Sequence, residues 1–168
     1  IPLPRTLGGV TLRFGGTIQT SSSGWIYSPT GSLEAPLLFV GLNQINFQVP
    51  PGISPGDAVP AQITRPAGTT LLTTLRITAT APGIFSVLMN GQGQAAALNQ
   101  DNLQNFGTRP AARGSVIQIF ATGAGETDPP LLPGEAAPAS GNPLVFTRAQ
   151  PTVTIGGQPA RVLFSGMA

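Results

Sequence analysis

The sequence predicts an all-β fold of the sandwich type, and three observations predict it. Apolar and β-branched residues alternate with polar ones in short runs. In Gln44-Ile45-Asn46-Phe47-Gln48-Val49, Ile, Phe and Val point one way and the amides the other, giving one dry and one wet face. Glycine and proline, 22 and 18 of 168 residues, fall between those runs as turn punctuation instead of gathering in a low-complexity tract. No stretch long enough for a stable helix combines a 3.6-residue apolar period with caps, and 95–98 is too short and too close to glycines.

The predicted strands follow from these signals in chain order: 10–14, 36–40, 44–49, 61–64, 69–79, 84–89, 94–99, 115–121, 144–146, 152–155 and 161–164. Gly, Pro or Asn bounds most of them, and many short strands at close spacing are the pattern of a sandwich. Phe14, Phe39, Phe47, Phe85, Phe120, Phe146 and Phe164 occupy strand positions expected to face a core. The stretch 79–84, ATAPGI, reads as a seam, dividing the chain into modules at 1–82 and 83–168.

An imperfect internal repeat links the two modules. Val10-Thr11-Leu12-Arg13-Phe14-Gly15-Gly16 matches Pro151-Thr152-Val153-Thr154-Ile155-Gly156-Gly157 at an offset of 151 − 10 = 141. Leu38-Phe39-Val40-Gly41 matches Leu163-Phe164-Ser165-Gly166 at 163 − 38 = 125. The first copy therefore holds an insertion of 141 − 125 = 16 residues within 17–34, expected to lengthen a hairpin or form a long loop. It carries the single Trp and the single Tyr of the chain, in Trp25-Ile26-Tyr27.

Composition narrows the function. Charged residues make up 8% of the chain, against roughly 25% in an average soluble domain, so Ser, Thr, Gln, Asn and backbone must cover most of the surface. The basic residues are all arginines, scattered singly, and they lift the pI to 10.5 while the net charge stays at +2. Nucleic acid is not an expected partner, because binding it takes clustered phosphate contacts. Without cysteine there is neither a disulfide framework nor a thiolate metal site. No apolar run reaches the roughly 20 residues of a membrane span, so membrane insertion is not expected. Ile-Pro-Leu-Pro-Arg at the start is not a signal peptide, so an export signal, if used, was removed or lies outside this sequence.

Without His, Cys or Lys, the usual Ser–His and Cys–His pairs, a Schiff base and a Lys-based isopeptide crosslink are unavailable. The acids are Glu34, Asp57, Asp101, Glu126, Asp128 and Glu135. Paired carboxylates can cleave glycosides, but Glu126 and Asp128, the nearest pair, lie in GAGETDPP, which reads as a solvated turn. Asn99-Gln100-Asp101-Asn102 offers calcium one carboxylate plus amides, where several acids are usual. It reads instead as the tight turn of a hairpin between 95–98 and 103–106. We therefore expect no enzyme, no cofactor and no metal site.

Trp25, Ile26 and Tyr27 are the candidate partner or ligand contact. Aromatic faces in a Ser/Gly-rich loop can stack on a sugar or anchor a protein contact, or they can simply pin the loop to its own module. Of the two functional options a protein contact is favoured, because the loop has few of the charged or amide partners a sugar site uses.

The segments LGGVTL, APLLFVGLNQINFQVP, TATAPGIF, GQGQAAALNQDNLQN, PAARGSVIQIFATGAGETDPP and TIGGQPARVLFSGMA resemble the Solibacter C-terminal repeat domain of large secreted acidobacterial proteins, covering most of the chain outside the insertion. The resemblance implies two immunoglobulin-like β-sandwich modules in an extracellular or cell-surface protein, and it brings no assigned activity and no catalytic residues. It also implies that both modules are incomplete at the chain ends. In such domains a strand like 115–121 precedes each TLGG or TIGG element, and strands like 44–49 and 69–79 follow it. Either another chain completes them or the remaining strands belong to a longer polypeptide. The expected function is structural: a subunit of a surface fibre or layer, a homo-oligomer or polymer formed by strand complementation. The alternative is an accessory module that binds a polysaccharide or a cell surface through the Trp25 loop.

Overall fold

The alternation in VTLRF produces the most regular strand of the molecule. In the computed structural model, which describes residues 2–167, Val10, Leu12 and Phe14 are buried and Thr11 and Arg13 between them are only partly covered. Among the described residues the only helical element is a 3₁₀ turn at Pro66–Gly68, and all strand pairs are antiparallel. The fold is therefore all-β, as the sequence predicts.

The chain forms two compact units. One holds Ile1–Ala79, Glu126–Arg148 and Val162–Ala168, the other Thr80–Gly125 and Ala149–Arg161. Its first break thus falls close to the seam read at 82/83, but residues beyond that seam are shared between both units. Local periodicity cannot reveal such sharing, because it depends on which distant strand each segment meets.

In the first unit the strands are β1 (Thr6–Leu7), β2 (Val10–Phe14), β3 (Thr17–Ser21), β4 (Gly24–Ser28), β5 (Leu33–Glu34), β6 (Leu37–Val40), β7 (Ile45–Phe47), β8 (Gly56–Thr64) and β9 (Thr70–Ile77). The main sheet runs β1-β2-β8-β9, and β5 joins β1 on the same edge of β2. Its dry face carries Leu12, Phe14 and Ala61, which close on Ala35 and Leu37 with Leu7, Val40, Ile45, Ile53, Ile63 and Ile77 around them. Phe14 is fully buried and its ring lies 5.4 Å from that of Phe47.

Pro60 sits inside β8, a position that would normally cost a ladder hydrogen bond. Here Pro60 O accepts from Gly15 N at 2.9 Å, just beyond the last β2–β8 pair, Phe14↔Ala61. Its missing N–H therefore faces the side where β2 has already ended.

The remaining strands are short: β10 (Gly83–Ile84), β11 (Ala97–Leu98), β12 (Gln118–Ile119), β13 (Ala121–Thr122), β14 (Thr127–Asp128), β15 (Val145–Thr147), β16 (Val153–Ile155), β17 (Gln158–Ala160) and β18 (Gly166–Met167). β14-β15-β18 form a second sheet in the first unit. In the other unit β10 pairs β13, β11 pairs β12 and β16 pairs β17.

Three expectations are corrected. The runs at 84–89, 94–99 and 115–121 shrink to two-residue strands and isolated bridges, and 161–164 gives way to β18 two residues later. Of the seven phenylalanines expected in a core, only Phe14 is buried, while Phe39, Phe47, Phe85, Phe120, Phe146 and Phe164 are each more than a third exposed. The alternation identifies an apolar face, but the cover over it is partial: Phe47 lies against Phe14, and Phe146 and Phe164 pack on each other at 5.4 Å, yet each keeps more than a third of its surface exposed. Finally, Thr127 and Asp128 of GAGETDPP form β14, and Glu126 pairs with Arg148 at 3.3 Å.

Candidate functional site

The insertion is a hairpin arm set into a two-glycine turn. In the second unit, β16 and β17 are joined by Gly156-Gly157, with φ of 58° and 79°, and pair as Val153↔Ala160, Thr154↔Pro159 and Ile155↔Gln158. Two consecutive positive φ values suit a tight hairpin whose twist matches its strands, which is why glycine is used. In the first unit, Arg13↔Glu34 and Phe14↔Leu33 are the same pairs at offsets of 141 and 125, and Ala35 N donates to Leu12 O at 2.8 Å. Gly15 and Gly16 keep positive φ, 84° and 77°. Between Gly16 and Leu33, residues 17–32 leave as β3–β4 and return without disturbing the parent hairpin.

Pairing along the arm is Thr17↔Ser28, Ile18↔Tyr27, Gln19↔Ile26, Thr20↔Trp25 and Ser21↔Gly24. Strand alternation therefore places Ile18, Thr20, Trp25 and Tyr27 on one face and Gln19 and Ile26 on the other. Tyr27 is partly buried and its hydroxyl donates to Gly15 O at 3.0 Å. A side chain at Gly16 would collide with Ser28 O and press on the Tyr27 ring, so the close approach at the arm's base needs glycine. Tyr27 is thus a tether. Trp25 is 63% exposed and Ile26 52% exposed, on opposite faces of the arm. The sequence groups the three residues as one contact; the geometry separates an anchor from two free side chains.

At the foot of the arm a cleft of about 350 Å³ is lined by Gly15, Gly16, Gly31, Gly52, Ile53, Ser54, Gly56, Ala58, Val59 and Pro60. It contains no ionisable side chain, so it offers no general acid, base or strong nucleophile. A second cleft of about 260 Å³ borders Asn99, Gln100, Asp101 and Arg109 in the other unit. Its amides and its carboxylate already have partners. Asn99 Nδ2 donates to Arg109 O at 3.1 Å, Asn99 Oδ1 accepts from Asn105 Nδ2 at 2.7 Å, and Asp101 Oδ1 accepts from Leu103 N at 3.0 Å. Asn102 is left-handed at φ 62° and its N–H donates to Asn99 O, closing the tight turn. Among the described residues no three His, Cys, Asp or Glu side chains gather as a metal cluster, and no helix is long and apolar enough to cross a membrane.

Sequence reasoning expected open sheet edges in incomplete modules but did not single out β9. β9 closes the main sheet with eight residues, and no strand pairs with its outer side among those described. Among the described residues β16 pairs only with β17, whereas its counterpart β2 has β1, β5 and β8 beside it. The chain exposes 11713 Å². Two compact bodies sharing 17.1 kDa in the proportions of these units, without touching each other, would expose about 9,300 Å² together. Leu38, Phe39, Leu71, Ile84, Phe85, Leu144 and Phe164 are among the large apolar side chains that stay well exposed.

The comparisons with known proteins return no matching family model, no matching curated protein and no matching solved structure.

Proposed function

We propose that this chain is a non-enzymatic, extracellular structural protein of immunoglobulin-like sandwich modules that assembles with further copies of itself into a fibre or layer by strand complementation. The observation that carries the reading is the unpaired eight-residue edge of β9 in a chain that exposes more surface than two compact bodies would and leaves many large apolar side chains uncovered. A standard interface takes roughly 800 Å² from each partner, and the surplus over two separate compact bodies is about 2,400 Å², room for more than one interface per copy. A polymer needs at least two. Few charges and no lysine or cysteine suit a durable secreted material, and the resemblance to a secreted repeat domain points the same way.

Sedimentation velocity over a broad concentration range, with negative-stain images of the concentrated sample, tests the proposal. Concentration-dependent growth into filaments or sheets is expected. A sharp monomer boundary at every concentration would sink it.

Exposure of Trp25 and Ile26 on a tethered arm favours a second reading, an accessory module that takes a polysaccharide or a cell-surface partner. Glycan-array or pull-down binding should then be lost in Trp25→Ala and kept in Leu42→Ala, a fully exposed residue off the arm, and binding unaffected by Trp25→Ala would remove this reading's main support.

A further inference from the structure

We infer that β9 pairs antiparallel with β9 of a second copy, about a two-fold axis through Thr73, so that the main sheet continues across the contact. The inference rests on the assembly reading above and names the partner and register.

Natural edge strands are kept from pairing by shortness, lysine, proline, bulges or inward charge. β9 has eight residues, TLLTTLRI, without Lys or Pro. Its only charge, Arg76, is engaged along its own sheet, with Nε 3.1 Å from Asp57 Oδ1 on β8. From Leu75 back to Thr70 the register with β8 runs unbroken, Val59↔Leu75 to Thr64↔Thr70, and the irregularity lies beyond it, between Gly56 and Val59. The template for an added strand is therefore regular from Thr70 to Leu75 and already paired on its inner side.

Side-chain alternation decides the register. Leu71 lies opposite Ile63, and Thr73 opposite Ala61, which puts Leu71, Thr73, Leu75 and Ile77 on the face that carries Leu12 and Phe14. Ile77 packs against the core, but Leu71 and Leu75 remain 51% and 39% exposed on that face. Two strands related by an axis perpendicular to the sheet must pair residues of the same face. Centring the axis on Thr73 sets Leu71 against Leu75 of the second copy and Leu75 against its Leu71, covering both half-exposed leucines. On the opposite face Thr70 meets Arg76 and Leu72 meets Thr74, so no like charges oppose each other. Centring on Thr74 sets Arg76 against Leu72 and leaves both leucines without each other. β1, with two residues, and β16, with three, are too short to offer an equal edge.

The absence of cysteine gives a clean test. Directly opposed residues in an antiparallel pair have Cα atoms about 4.5–5.5 Å apart, within disulfide reach. Leu71 and its own copy would be about 13 Å apart along the ladder. Under mild oxidation, Thr73→Cys should form a covalent dimer at least tenfold faster than Leu71→Cys or Leu42→Cys, and a mixture of Leu71→Cys and Leu75→Cys should give the mixed dimer in preference to either homodimer. Leu71→Lys should weaken association at least tenfold, and Leu71→Lys with Leu75→Glu in one chain should restore it, a rescue that misfolding would not give. If the wild type associates in sedimentation while Thr73→Cys crosslinks no faster than Leu42→Cys, the β9 inference falls and assembly through another surface stands. If the wild type does not associate at all, the assembly reading fails and the inference goes with it.

Discussion

Deleting residues 17–32 should leave the first unit folded. The junction would then read Phe14-Gly15-Gly16-Leu33, the arrangement that Ile155-Gly156-Gly157-Gln158 already adopts. The glycines need little adjustment, from φ of 84° and 77° towards 58° and 79°. Two side-chain contacts to the parent hairpin disappear. The Tyr27 hydroxyl to Gly15 O bond, 3.0 Å, is a neutral bond worth about 1 kcal/mol, and Arg13 Nη1 to Ser32 Oγ, 3.3 Å and partly solvated, is worth about 0.5–1 kcal/mol. Against that, a connection about ninefold shorter recovers at most about 2 kcal/mol of closure entropy. The terms nearly cancel, so the free energy of unfolding should change by less than about 1.5 kcal/mol. Urea titration followed by far-UV circular dichroism measures it. A loss above about 3 kcal/mol, or disappearance of the cooperative transition, would show that the arm belongs to the core and that its placement in the turn has been misread.

Phe14→Ala should remove about 3–5 kcal/mol, because Phe14 is fully buried at the centre of the main core; a calorimetric melt within a few degrees of wild type would contradict that placement. Ala67 holds φ of 71° in the turn between β8 and β9, a conformation that costs a non-glycine residue about 1 kcal/mol. Ala67→Gly should therefore stabilise by about 0.5–1 kcal/mol in the same melt, and a loss would refute the strain. Asn99→Ala strands Asn105 Nδ2 and leaves Arg109 O only the 3.3 Å bond from Phe106 N, and should cost about 1–3 kcal/mol. Amide exchange of Asn105, whose N–H donates to Ala97 O at 2.9 Å and whose side chain loses its bond to Asn99, should quicken with it, and unchanged protection would argue against the network.

How much of this was legible beforehand depended on whether the signal was local. VTLRF between two glycine pairs marks β2 to the residue, and the offsets of 141 and 125 reappear as hairpin registers because a two-residue turn leaves register no freedom. The arm remained open between hairpin and loop, since Ser22-Ser23 is not a diagnostic turn pair and only Gly24, at φ 118°, supplies the unusual backbone. Grouping Trp25 with Tyr27 followed from composition, and separating them required seeing that Gly15 O lies within reach of one hydroxyl. What failed was long-range. Alternation in SVIQIFA or IFSVLM names a dry face but cannot say whether a partner strand arrives, and so neither the length of β10 to β13 nor the exposure of Phe85 and Phe120 could be foreseen.

The position of Trp25 also determines what light reports about this molecule. As the single indole, 63% exposed on an arm remote from Leu12 and Phe14, it should emit at nearly the same long wavelength whether the core is intact or unfolded, so intrinsic fluorescence is a poor witness to folding. The same placement makes it a sensitive witness to company. A blue shift on raising the concentration, or on adding a glycan, would register the covering of the arm and nothing else.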